Sequence, residues 1–198
     1  MLIVISYPTS LADEASIINN LFEEGLETLH VRKPCVSGDE IKLLLQEIKP
    51  QYYHRISLHQ CHELADNFGI NRLHYTETNR KETSPETLIK LKAEKYILST
   101  SIHQVQEYNK LLTVFDYTFF GPVFNSISKG GYTAVVADDF IFPVQENQSK
   151  AVAIGGIRAE NIKKVKQMQF NGAAALGTIW QNPHESILEF KALQKEWK

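Results

Sequence analysis

Short apolar runs rich in branched and aromatic side chains recur along the chain, separated by longer amphipathic stretches. The runs are Leu2–Ser6, Thr28–Val31, Arg55–Leu58, Arg72–His74, Tyr96–Thr100, Tyr117–Phe120, Ala151–Ile154 and Ala173–Leu176. Their length and their polar or glycine-bearing flanks predict strands. Most of the gaps carry apolar residues at helical spacing, over Ala12–Gly25, Gly38–Ile48, His62–Phe68, Pro85–Ala93, Gln104–Leu111, Ala159–Met168 and Pro183–Trp197. Ser37 with Glu40 has the spacing of a capping box, and Ser84 precedes a proline suited to a first helical turn. Gly69 with Asn71, and Asn171 with Gly172, punctuate two returns into strands. Tyr52 and Tyr53 read as surface ahead of the third strand.

Alternation of strands and helices implies parallel strands joined by right-handed crossovers. Eight such units in 198 residues fit a single-domain α/β TIM barrel, a (β/α)8 fold, near its lower size limit. An open doubly wound sheet is the alternative. The rhythm lapses once, between Asn125 and Ser149, which reads as a long βα loop with at most a short helix. Loops of that length on the catalytic face of a barrel are often functional.

Composition narrows the function classes. The chain is 43% hydrophobic and 22% charged with a formal net charge of -2, which excludes a dedicated nucleic-acid binder. No apolar run approaches the roughly 20 residues of a membrane span, and the first residues lack a basic leader region. A cytoplasmic location is the default expectation. Cys35 and Cys61 are too few and too far apart for a disulfide framework.

In a parallel barrel the chemistry gathers where strands end at their C-termini. Those ends carry Ser6–Tyr7, Arg32–Lys33, His59–Gln60, Tyr75–Glu77, Ser101–His103, Gly121–Lys129, Gly155–Gly156 and Gly177–Thr178. Arg32, Lys33 and Lys129 bring three cations to one rim, which suits phosphate or pyrophosphate. Glycine pairs leave backbone N–H groups open to an anion, and phosphate commonly binds between the last two loops of such barrels. Ser126 and Ser128 add hydroxyls beside Lys129. His103 is a candidate proton carrier. His59, His62 and His74 invite a metal reading, which the missing carboxylate and the strand-helix junction between the first two argue against. Cys61, Trp180 and Trp197 read as packing residues.

These residues resemble the thiamine-phosphate synthase and TenI family over essentially the whole chain. LHVRK at 29–33 looks like the family's basic strand-two motif, and Ser101 with His103 like its S-x-H. DYTFFGPVFNSISK resembles its D-Y-x-x-x-G-P-V-F-x-T-x-T-K with serines for both threonines. AVAIGGI and the run from Gly172 to Ile179 resemble its two phosphate loops.

The resemblance implies a thiamin-biosynthesis enzyme that condenses hydroxymethylpyrimidine diphosphate with thiazole phosphate and releases pyrophosphate. It assigns Lys129, Ser101 and His103 to catalysis. It assigns Arg32, Lys33, Ser101 and Lys129 to the pyrophosphate. Ser126, Ser128, Gly155, Gly156, Gly177 and Thr178 would hold the thiazole phosphate, with His59, Gln60, His74 and Glu77 completing the pocket. The implied cofactor is Mg2+. However, the synthase's two metal-binding aspartates correspond to Gln60 and Asn79 here, so weakened Mg2+ binding is expected unless Glu77 or Glu63 substitutes. Phosphorylated pyrimidine and thiazole precursors are the expected partners, and a homo-oligomer is plausible for a barrel. Two other readings stay open. One is a TenI-like thiazole tautomerase using His103 or His74, although Pro122 stands where the TenI branch has its histidine. The other is a non-catalytic protein that binds thiamin phosphates.

Overall fold

The computed structural model describes residues 1–125, 136–137, 139–146 and 148–198. Its strands are β1 (Leu2–Ile5), β2 (Thr28–Val31), β3 (Ile56–Leu58), β4 (Arg72–Tyr75), β5 (Ile97–Ile102), β6 (Phe115–Phe120), β7 (Lys150–Ile154) and β8 (Gly172–Ala175). They pair in sequence order, all parallel, and β1 joins both β2 and β8 to close the barrel. The closed barrel expected from the strand rhythm is the fold, and the open sheet is not.

The helices are α1 (Glu14–Glu23), α2 (Gly38–Glu47), α3 (Leu64–Phe68), α4 (Glu77–Glu82), α5 (Pro85–Ala93), α6 (Val105–Tyr108), α7 (Ile162–Gln167), α8 (Gly177–Trp180) and α9 (Ser186–Trp197). The capping box forms at α2: Ser37 Oγ accepts from the Glu40 N–H, and the Glu40 carboxylate accepts from the Ser37 N–H at 3.1 Å. Ser84 likewise accepts from the Thr87 N–H to start α5. Two short helices escape the sequence pattern because four to six residues hold too little of a helical repeat; these are α4 and α8. Between β6 and β7 the described residues contain no helix. The stretch before β3, Pro50–Arg55, is a 3-10 turn that buries Tyr52 against Phe22 with ring centroids 4.6 Å apart. The surface expectation for Tyr52 is therefore corrected.

Strand alternation sorts side chains into two layers. Leu29, Val31, Ile56, Leu58, Leu73, Ala173 and Ala175 pack outward with the helices, in one core with Ile18, Leu21, Phe22 and Phe190. Ile3, Ile5, Tyr117, Phe119, Val152 and Ala174 point inward and fill the barrel. Trp180 is buried as expected, and its indole N–H donates to the Ile5 carbonyl at 2.6 Å. Trp197 is partly buried on the outer core, under the Lys166 ammonium at 5.2 Å.

The outer layer predicts a simple stability outcome. Leu21 is fully buried, so Leu21→Ala removes buried methyl groups and leaves a cavity, at a cost of roughly 2–5 kcal/mol. Urea unfolding followed by circular dichroism measures it.

Candidate active site

A cavity of about 510 Å³ opens at the C-terminal ends of the strands. Sequence-predicted residues from six strand ends meet in its wall: Arg32 after β2, His59 after β3, His74 and Glu77 around β4, Ser101 and His103 at β5, Gly155 and Gly156 after β7, and Gly177 and Thr178 after β8. Ser126, Ser128 and Lys129 lie outside the described residues.

Lys33 is not brought to the cavity. Its side chain is 2% exposed, and Nζ donates to the Glu14 carboxylate at the start of α1 and to the Thr9 carbonyl. Burial pushes the Glu14 carboxyl above its ordinary range, opposed by its hydrogen bond from Lys33. The reason for the departure is directional. Successive residues of an extended chain point to opposite faces, so Arg32 turns into the barrel and Lys33 outward under the helices. Arg32 lines the cavity and forms no ion pair with any described residue. Gln60 follows Lys33: its Oε1 accepts from the Lys33 N–H at 3.3 Å. Asn79 sits in α4, exposed, and neither residue lines the cavity.

The glycine pair has a packing requirement. Gly155 has φ +96 and Gly156 φ +65. A Cβ on Gly155 would lie 2.7 Å from Pro122 Cα, and one on Gly156 would lie 2.6 Å from the Asn125 carbonyl oxygen. The close approach clamps the β6 and β7 ends together, with the Val123 N–H donating to Ile154 and the Phe124 N–H to Gly155. Thr178 ties the β7 and β8 loops by donating its hydroxyl to the Ile157 carbonyl. The first N–H groups of α8, beginning at Gly177, have no acceptor within the helix. Arg158, overlooked in the sequence because it lies two residues beyond the glycine pair, adds a guanidinium to the same wall.

The floor is a set of imidazoles. His30, which the sequence reading passed over inside the LHVRK motif, is fully buried. Its Nδ1 lies 2.8 Å from His59 Nε2, and its Nε2 lies 2.7 Å from the Tyr117 hydroxyl. His59 and His74 stack with centroids 3.9 Å apart, and both rings approach Phe119. His74 contacts Ser99 Oγ through Nδ1 and Ser101 Oγ through Nε2, at 2.9 and 3.0 Å. Burial holds the His30 and His59 pKa well below the ordinary value and lowers that of His74 to about 3. His62, grouped with His59 and His74 in the sequence reading, turns away and donates Nε2–H to the Leu58 carbonyl. His103 sits on the rim, where its Nδ1–H donates to the Gly121 carbonyl at 2.8 Å. That leaves Nε2 as its second functional atom.

The implied Mg2+ does not fit these residues. Mg2+ takes oxygen ligands in near-octahedral geometry, usually with one or two carboxylates. Among the described residues Glu77 is the one carboxylate in the cavity wall. It is engaged by Lys81, whose hydrogen bond also holds its carboxyl below the usual range. The deeper donors are imidazole nitrogens, which suit softer ions.

A (β/α)8 barrel with glycine-rich loops after its last two strands, and an arginine and hydroxyls on the facing strands, defines a phosphate-handling barrel enzyme. The family model described as thiamine monophosphate synthase matches residues 1–179, and the chain belongs to that family. A thiamine-phosphate synthase from Hydrogenobaculum sp. is 24% identical over 93% of this chain and 87% of its own. One from Actinobacillus succinogenes is 27% identical over 66% of each chain. The crystal structure of thiamine phosphate pyrophosphorylase from Bacteroides thetaiotaomicron superposes with a TM-score of 0.77 at 29% identity, covering 98% of this chain and 96% of that one. No helix among the described residues is long and apolar enough to cross a membrane.

Two outcomes follow from the buried charges and imidazoles. Glu14→Gln strands the Lys33 ammonium in the interior and is expected to cost about 3–5 kcal/mol in urea unfolding, with the Glu14→Leu/Lys33→Met pair recovering most of it. The floor histidines have folded pKa values below the unfolded value of about 6.5, so the unfolded chain binds their protons more readily. Their contribution to stability is therefore full above that pH and is lost as pH falls toward the His74 value of about 3. Thermal unfolding across this window in EDTA checks it, and His74→Asn is expected to flatten the slope.

Proposed function

We propose that this chain is a thiamine-phosphate synthase-type transferase, joining a hydroxymethylpyrimidine diphosphate to a thiazole phosphate with release of pyrophosphate. The observation that carries the reading is the convergence, in one cavity of about 510 Å³, of two separate anion-suited walls. One is the Gly155–Gly156 and Gly177–Thr178 wall with Arg158; the other is Arg32 with Ser101 and His103. A condensation of two phosphorylated substrates needs two such walls, whereas a carrier of one phosphate needs one. Membership of the family supports the same conclusion.

In this mechanism the thiazole phosphate rests on the backbone N–H groups of the glycine wall, which fixes its ring nitrogen. The pyrimidine diphosphate lies with its leaving group toward Arg32 and Ser101. As the carbon–oxygen bond breaks, negative charge grows on the pyrophosphate, and Arg32 opposes it electrostatically. Ser101 hydrogen-bonds to His74 and presents its hydroxyl to a phosphate oxygen. Apolar Ile5, Phe119 and Leu176 in the wall keep water from the pyrimidine cation until the thiazole nitrogen captures it. Lys129 joins the pyrophosphate contacts on the strength of the sequence motif.

The direct assay supplies both precursors, with and without Mg2+, and measures thiamine phosphate. Arg32→Ala is expected to lower kcat/KM about 100-fold, the scale of losing one charge-stabilising donor. Absence of product under every condition would sink the synthase reading. If the same protein then interconverted thiazole tautomers, the tautomerase would replace it.

A further inference from the structure

We propose that His30, His59 and His74 form a binding site for one borderline divalent transition-metal ion of the Zn2+ class at the floor of the cavity. One nitrogen from each ring lies within 4.8 Å of the others. Three imidazoles with a fourth position left open is the donor set of a catalytic rather than a structural zinc site. Here the open side is the cavity, because His59 and His74 line it.

Three further observations favour an ion over plain packing. His59 Nδ1 is buried with no hydrogen-bond partner among the described residues, an arrangement that costs free energy unless something occupies it. The outer partners of ligating histidines are also present. Tyr117 faces His30 Nε2 and Ser99 faces His74 Nδ1, the contacts that orient a metal-bound imidazole. Burial also keeps the rings neutral, which is the ligand form.

The site needs adjustment to close. Zinc-nitrogen bonds of about 2.0–2.1 Å require ligand nitrogens closer than 4.8 Å, so the His59–His74 stack opens by rotation of one ring. Ligation through His59 Nδ1 and His30 Nδ1 also breaks the contact between His30 Nδ1 and His59 Nε2. Arg72 acts on His30 and Arg32 on His59 and His74, which lowers affinity relative to an uncharged surrounding.

The experiment is a titration of EDTA-stripped protein with Co2+, read by its visible d–d bands, followed by displacement with Zn2+. One Co2+ per chain with the intense bands of tetrahedral coordination is expected, bleached by Zn2+. His59→Asn and His30→Gln are each expected to abolish the bands, and His62→Asn to keep them. Failure of the folded wild-type protein to develop tetrahedral bands would overturn the site. So would bands that persist in His59→Asn, since these would belong to other histidines. No substrate is present, so the result is independent of the synthase assay.

Discussion

Closure of the sheet between β1 and β8 is the constraint on which the rest of the molecule depends. Once Leu2 pairs with Ala173 and Val4 with Ala175, no strand has a free edge and every strand is buried on both faces. Outward positions meet helices and stay apolar, as the large outer core shows. Inward positions share a narrow lumen, to which β8 contributes the small Ala174. A Cβ on Gly172 would lie 2.9 Å from the Met1 carbonyl oxygen, so the closure itself requires a residue without one.

The upper lumen contains polar groups that the barrel pairs with one another, although His59 Nδ1 has no partner among the described residues. Tyr117, His30, His59, His74, Ser99 and Ser101 come from β2 to β6; three of their contacts join neighbouring strands, and that of His30 with Tyr117 crosses the barrel. Buried polar chains of this kind specify one arrangement because misaligned partners are expensive. The same rigidity holds the cavity floor while the loops above it differ in role. The β6 and β7 ends are locked by glycine contacts, and the β4 end starts the short helix α4 through the Thr76 cap.

The sequence made the barrel legible because each strand is a compact apolar run and two of the longer helices, α2 and α5, carry a side-chain cap at their start. Ser37–Glu40 and Ser84–Pro85 are places where local chemistry and global fold agree. The phosphate loops were legible through their glycines. The floor was not, although a signal existed. Leu29 and Val31 are outward, so His30 and then Arg32 share the inward parity, while Lys33 belongs with the outward set. Reading LHVRK as a cationic cluster ignored that period of two, which paired Arg32 with the wrong neighbour and left His30 unnoticed. The partnership of Lys33 with Glu14 joins residues 19 positions apart and has no local signature at all.

The link from Tyr117 through His30 to His59 has a consequence beyond its packing. Each neutral ring carries a single N–H, so the two hydrogen bonds must run in the same direction. If the tyrosine hydroxyl donates inward, His59 Nδ1 emerges as a donor. If His59 donates from Nε2, the run reverses, the tyrosine oxygen accepts, and Nδ1 emerges as a bare lone pair. The two arrangements thus present opposite hydrogen-bonding senses at that buried nitrogen with no heavy atom displaced, and passing from one to the other takes one proton in at the tyrosine oxygen and one out at His59 Nδ1.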